Sequence, residues 1–180
     1  MMKKRNGFTL PELLIVAAIV LIIMAILIPN IIAARIRAKV SGVRSEMGSI
    51  AIMLEDYKID NGGYPTQYTS PDVITNNTNP PSPDNVVGLG KLIYPTTSDS
   101  TPVYLSTVPK DPFNENEDPG GYYSYFTSGD ALWALVSWGP DKDDDIKSYA
   151  EAKTAIDDGT KMYNQENGIT SDGDIVIIGP

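Results

Sequence analysis

The sequence predicts an α+β fold in which one long N-terminal helix packs its second half against a small antiparallel β-sheet. Three observations predict it. Residues 13–28 are a run of 16 apolar residues. Apolar residues then recur at alternating spacings of four and three up to residue 57, which is typical of one helix face. The C-terminal third holds short segments rich in aromatic and β-branched residues, separated by turn residues. At 180 residues, one domain is expected.

The composition excludes much enzyme chemistry. The chain has no Cys and no His, which removes disulfides, thiol nucleophiles, Ser-His-Asp triads and the usual zinc ligands. Its net charge of −9 argues against general nucleic-acid binding, which needs a basic face. The charge is uneven, because residues 111–180 carry 15 acids against 4 Lys whereas residues 1–7 carry only bases. Carboxylate chemistry, oxygen-ligated cations and structural roles remain.

The apolar run is long enough to cross a membrane. Extended back to Phe8 it reaches 21 residues with one charge, Glu12. At about 1.5 Å per residue this equals the ~30 Å of a bilayer core. The basic start also fits a secretory signal, but no small-x-small cleavage site follows. A simple anchor leaves Glu12 unexplained, because an unpaired carboxylate in lipid is costly.

The chain starts with the run Lys3-Lys4-Arg5-Asn6-Gly7-Phe8-Thr9-Leu10-Pro11-Glu12, which resembles the signal of type IV pilins and pseudopilins. The resemblance implies that a prepilin peptidase cuts after Gly7 and methylates Phe8, so that the net charge becomes −12 because three bases leave. It also implies that Glu12 pairs with the N-terminal amine of a neighbouring subunit; a place at the headgroup level is the alternative. Pro11 departs from the pattern, but proline is tolerated in a first helical turn.

One helix is predicted from about Phe8 to Lys58, with a kink at Pro29. Its second half carries an apolar stripe made of Ile36, Val40, Val43, Met47, Ile50, Leu54 and Tyr57. A coiled-coil seam is the alternative interpretation of the stripe. The basic cluster between Arg35 and Arg44 has two interpretations. It is a face turned to solvent or lipid headgroups, or it pairs with the acidic region of another subunit.

The residues at the predicted helix end and before the sheet narrow the resemblance from pilins in general to one group of pseudopilins. The chain continues as Tyr57-Lys58-Ile59-Asp60-Asn61-Gly62-Gly63-Tyr64-Pro65-Thr66 and later as Val108-Pro109-Lys110-Asp111-Pro112-Phe113-Asn114. Both segments resemble the major pseudopilin of type II secretion systems. Between them a variable loop is expected, with a short helical turn between Val86 and Tyr94. Strands are predicted over residues 122–126, 133–138 and 174–178.

An acidic loop follows the second predicted strand. Its carboxylates are Asp141, Asp143, Asp144 and Asp145. The loop is not an EF-hand, because Ile146 stands at the glycine position and Ala152 at the glutamate position. Clustered carboxylates in a turn suit Ca²⁺, and a solvated loop is the alternative. The resemblance implies a structural calcium site that includes Asp141. The other three carboxylates are inferred from local chemistry, and Asp172 or Asp174 is expected to close the site.

The resemblance implies a non-catalytic pseudopilin of a periplasmic type II secretion pseudopilus, anchored once in the bacterial inner membrane with its C-terminal domain in the periplasm. The expected segments are a leader over 1–7, a transmembrane and filament-core helix over 8–29, the periplasmic helix half and stop over 30–64, a variable loop over 65–107, and the sheet with its acidic loop over 108–180. Expected partners are prepilin peptidase, further copies, minor pseudopilins, an inner-membrane assembly platform and membrane lipid, but no nucleic acid. The alternatives are a type IV pilin for adhesion or motility, a membrane-tethered enzyme with paired carboxylates, and a single-span sensor domain.

Overall fold

The computed structural model describes residues 8–66, 88–93, 103–114, 121–129, 131–167 and 171–180. The expected leader, with Gly7, lies outside the described residues, as does most of the expected variable loop. In the described part the elements are α1 (Leu10–Asn61), a 3-10 helix (Gly88–Leu92), β1 (Ser124–Ser128), β2 (Leu132–Ser137), α2 (Tyr149–Asp158) and β3 (Ile175–Ile178). The predicted α+β class is confirmed.

Helix α1 continues through Pro29, which removes one backbone hydrogen bond from the ladder. It ends at the predicted stop, where Gly62 adopts φ 79° and its N–H donates to the Lys58 carbonyl at 2.8 Å. Ile36 of the predicted stripe is half-buried. The stripe residues buried in the structure are Val40, Val43, Met47, Ile50, Leu54 and Tyr57. We call residues 10–32 the stem, and the rest of the described chain, from residue 36, the head.

The three strands form an antiparallel sheet in the order β1-β2-β3. In the central strand, Leu135 lies opposite Tyr125 of β1 and Ile177 of β3. Alternate residues of β2 point to opposite faces. Trp133 and Leu135 pack with α1 in the larger core.

The other face of the sheet is covered as well. Ala134 and Val136 pack against Ala152 and Ala155 of α2 in a second, smaller core that also contains Phe126 and Ile146. Helix α2 contacts all three strands, so the head has three layers with the sheet in the middle. The sequence predicted only the α1 layer, so α2 is an addition to the expected fold.

Helix α2 has sequence signals that could have revealed it. Ser148 accepts a hydrogen bond from the Glu151 backbone N–H at 3.2 Å, which is a helix N-cap contact. Gly159, with φ 73°, ends the helix, and its N–H donates to the Ala155 carbonyl. A Ser-x-x-Glu start and a Gly stop ten residues further on are the pattern of a short capped helix.

Candidate functional site

The stem is exposed on every side. Leu13, Leu21 and Ile26 are each more than three-fifths exposed, and no residue of the most apolar window is buried by the rest of the chain. Among the described residues, α1 is the one helix long and apolar enough to cross a membrane. An apolar surface of this length needs lipid or other protein chains around it.

Glu12 lies in the first turn of the stem. Its Oε2 atom accepts hydrogen bonds from the Thr9 backbone N–H at 2.8 Å and from the Thr9 hydroxyl at 2.7 Å. These bonds use donors that the start of a helix leaves free. They hold the carboxylate at the N-terminal end of α1, four residues after Phe8, whose side chain is 87% exposed.

Four carboxylates converge in the acidic loop. Asp141, Asp143, Asp145 and Asp172 each offer one oxygen, and these oxygens all lie within 4.8 Å of one another. Three of the four expected ligands are therefore brought together, and Asp172 joins them from the turn before β3. Asp144, the fourth expected ligand, is not in this group. Its carboxylate lies 3.8 Å from Lys147 Nζ.

Close approach of two backbone segments creates this convergence. The Gly173 N–H donates to Asp141 Oδ2, which ties the loop to the turn before β3. Gly139 has φ 71°, and a Cβ atom there would collide with the Gly173 carbonyl oxygen. Glycine is therefore needed at residue 139 both for its backbone angle and for the space.

Two buried oxygens at this site lack a hydrogen-bond donor within the described residues. They are Asp141 Oδ1 and Asp174 Oδ1. Asp174 is fully buried, and its other oxygen accepts from the Ile146 N–H at 2.9 Å. Buried oxygens are normally satisfied, so these two are free to take a further donor or a cation. Carboxylate oxygens in this number suit a hard divalent cation such as Ca²⁺.

The electrostatics of the loop agree with that interpretation. Burial raises the pKa of Asp141 and of Asp145, and the neighbouring Asp143 charge raises both further. Burial raises the pKa of Asp174 to about 8, assisted by the charges of Asp145, Asp144 and Asp141. The neighbouring carboxylates thus make ionisation of Asp141, Asp145 and Asp174 less favourable, and a bound divalent cation would reverse this.

Asp111 fixes the position of the strand end from which the acidic loop starts, a role the sequence analysis did not assign. Its Oδ1 atom accepts from the Ser137 hydroxyl and the Phe113 N–H, each at 2.9 Å. Its Oδ2 atom accepts from the Trp138 N–H at 2.9 Å. Asp111 is 3% exposed, and burial raises its pKa while these hydrogen bonds act in the opposite direction. An Asp-Pro pair after an apolar segment is the available signal, because Asp often accepts from the backbone two residues on.

Comparison with known proteins decides the family. The model of a family described as the prokaryotic N-terminal methylation motif matches residues 2–28. The type II secretion system core protein G of Pseudomonas aeruginosa is 30% identical over 128 residues, which are 71% of this chain and 77% of that relative. The chain belongs to the type II secretion system core protein G family. This membership confirms the resemblance found in the sequence.

Further relatives extend the match within and beyond the core protein G family. Core protein G of Dickeya chrysanthemi is 27% identical over 165 residues, which are 88% of this chain and 95% of the relative. The type IV wide pilus major component PilA4 of Thermus thermophilus is 48% identical over 63 residues, 35% of this chain and 48% of that protein. The chain thus spans about half the length of this pilus relative. No solved structure matches the chain.

Proposed function

We propose that this core protein G relative is a non-catalytic pseudopilin that polymerises through its stem into a periplasmic pseudopilus of a type II secretion system. The observation that carries the proposal is the contrast along α1. Its second half is buried against the sheet, whereas its first half is apolar and exposed on all sides. Membrane lipid covers the apolar surface of the stem before assembly, and the stems of other copies cover it afterwards.

Maturation in this proposal follows the N-terminal motif. Prepilin peptidase cuts after Gly7 at the cytoplasmic face of the inner membrane and methylates the new amine of Phe8. The chain then stays anchored by one span, with the head in the periplasm. An assembly platform in the inner membrane takes up the mature subunit together with minor pseudopilins.

Glu12 is proposed to set the axial register between subunits. In the single chain its carboxylate is bonded to Thr9, one residue from the amine that cleavage creates. Pairing of Glu12 with the amine of a neighbouring copy removes two isolated charges from the apolar filament core. The hydrogen bonds from Thr9 hold the Glu12 carboxylate at the N-terminal end of α1, close to the position where the amine of a neighbouring copy would replace Thr9 as its partner.

The test measures maturation and assembly separately in cells that carry the full-length chain. Mass spectrometry of the wild-type protein is expected to show an N-terminus at methylated Phe8. Glu12→Ala should be cleaved normally but should form no filaments and support no secretion. Asp56→Ala is the matched control, because it removes an exposed acid from the same helix outside the membrane. An intact Met1 in the wild type, or normal filaments from Glu12→Ala, would contradict the proposal.

The acidic loop is proposed to hold a structural Ca²⁺ ion. Asp141, Asp143, Asp145 and Asp172 would supply the oxygens, and the unpartnered Oδ1 atoms of Asp141 and Asp174 support this fit. A bound ion would join the end of β2 to the turn before β3. A structural metal suits a small head that has no disulfides.

The type IV pilin alternative is less well supported. Its relative from Thermus thermophilus matches over 63 residues, whereas the core protein G relatives from Pseudomonas aeruginosa and Dickeya chrysanthemi match over 128 and 165 residues. Loss of surface pili with normal secretion after deletion of the gene would favour the pilin instead.

A further inference from the structure

A basic cleft lies between α1 and the segment that follows α2. Its volume is about 170 Å³, and its lining consists of Arg37, Val40, Ser41, Arg44, Tyr163 and Gln165. Residues 37, 41 and 44 share one face of α1, because they are spaced by four and three. A volume of this size admits one acidic side chain with a few water molecules, at ~30 Å³ for each water.

The two arginines of this cleft lack an acidic partner among the residues that the structure describes. Arg37 and Arg44 are exposed, and neither forms an ion pair with any of the residues that the structure describes. Arg44 instead lies over the Tyr163 ring, 5.9 Å from its centroid. The Tyr163 hydroxyl is buried and has no hydrogen-bond partner among the described residues. Two exposed guanidinium groups that line one cleft are donors that suit an oxyanion.

The height of the cleft above the membrane decides which oxyanion fits. A bilayer core of ~30 Å that starts at Leu10 ends about 20 residues later, near Asn30. The headgroup layer adds roughly 5–7 Å, which corresponds to about four residues. Arg44 lies 14 residues beyond Asn30, a rise of about 21 Å. A lipid phosphate therefore does not reach Arg44 or Tyr163.

The acids of a second copy do reach this height, because they belong to the same head. Residues 111–180 carry 15 acids against 4 Lys, and several of these acids are exposed, Asp157 and Glu166 among them. The basic face of one copy and the acidic surface of another are therefore complementary in charge.

We propose that this cleft binds a carboxylate from residues 111–180 of a second copy of the chain. The inference rests on the proposed function as a filament subunit, and it adds a polar contact between heads to the apolar contact between stems. The carboxylate accepts from the exposed guanidinium groups of Arg37 and Arg44. Such a contact fixes how neighbouring heads are oriented relative to one another. Contact between stems alone does not fix this orientation.

The test uses full-length chains in membranes and a carbodiimide, which joins a carboxylate to an amine in direct contact. Arg37→Lys and Arg44→Lys each place an amine in the cleft. Arg35→Lys is the matched control, since Arg35 is an exposed base on the same helix outside the cleft lining. Mixed light and heavy isotope labelling distinguishes links between copies from links within one copy. Mass spectrometry identifies the acid that is joined.

The expected result is a mixed-isotope link from residue 37 or 44 to an acid in 111–180, at least fivefold more abundant than any link from residue 35. Equal yields at all three positions, or links only to lipid or to other proteins, would overturn the inference. Copies of the unmodified chain are also joined by formaldehyde, which reports whether the chain assembles at all. Multimers without the cleft link refute the cleft alone, whereas the absence of multimers refutes the filament proposal as well.

Discussion

Replacing Asp111 by alanine is expected to destabilise the head more than any exposed substitution, although Asp111 touches neither the stem nor the acidic cluster. The change leaves two backbone N–H groups, of Phe113 and Trp138, and the Ser137 hydroxyl without an acceptor. All three residues are buried, and Ser137 has no exposed surface, so water cannot replace the carboxylate without rearrangement of the head.

The magnitude follows from the three donors. A buried donor left without a partner costs about 1–3 kcal/mol, so the sum for three donors is roughly 3–9 kcal/mol. For a head of this size each kcal/mol lowers the melting temperature by about 2–4 °C. Asp111→Ala should therefore lower it by roughly 6 °C or more. Ser137→Ala removes one donor together with its bond and should cost only about 1 kcal/mol.

Tryptophan fluorescence of the full-length protein in detergent during heating is the assay. The chain has two tryptophans, Trp133 and Trp138, and both are buried in the head. Asp157→Ala is the control, because Asp157 is exposed and forms only a surface ion pair, with Lys153 at 3.2 Å. The reasoning is refuted if Asp111→Ala lowers the melting temperature no more than Ser137→Ala does.

Three further predictions concern the same melting measurement. Calcium at about 100 times its dissociation constant should stabilise the wild type by about 2.7 kcal/mol. Asp143→Asn should abolish this gain and Asp144→Asn should keep it, and equal responses would argue against the proposed ligand set. Gly139→Ala should destabilise the head more than Gly129→Ala, since both glycines have positive φ but only residue 139 faces a backbone atom at close range. Met47→Ala, at a fully buried position, should cost about 2–5 kcal/mol, and a smaller loss would indicate a loosely packed core.

Sequence periodicity predicted the parts of the fold that depend on long repeating patterns. The apolar stripe on α1 repeats over three heptads, so one or two exceptions do not hide the pattern. The half-buried Ile36 at its start is such an exception. The predicted strands agree with β1, β2 and β3 to within two residues at each end, because turn residues bound them.

Features that depend on single contacts were harder to predict. Asp172 is 27 residues from Asp145 in the chain, and only the packing of Gly139 against Gly173 brings their oxygens together. The hydrogen bonds of Asp111 to Ser137 and Trp138 likewise join segments far apart in sequence. Helix α2 was missed for another reason, since it is short, its buried residues are two alanines and its clearest signal lies in its caps.

The unbroken course of α1 has a mechanical consequence. Its 52 residues form a rod that, at about 1.5 Å per residue, is some 78 Å long. In the proposed function, this rod lies in the membrane at one end and in the core of the head at the other. A push along the axis at the first end reaches the head except where the rod bends. The most flexible point of the rod is Pro29, where the helix lacks one backbone hydrogen bond. Pro29 belongs to the stem and not to the head. The subunit is therefore a stiff rod whose bending is concentrated at one residue of the stem.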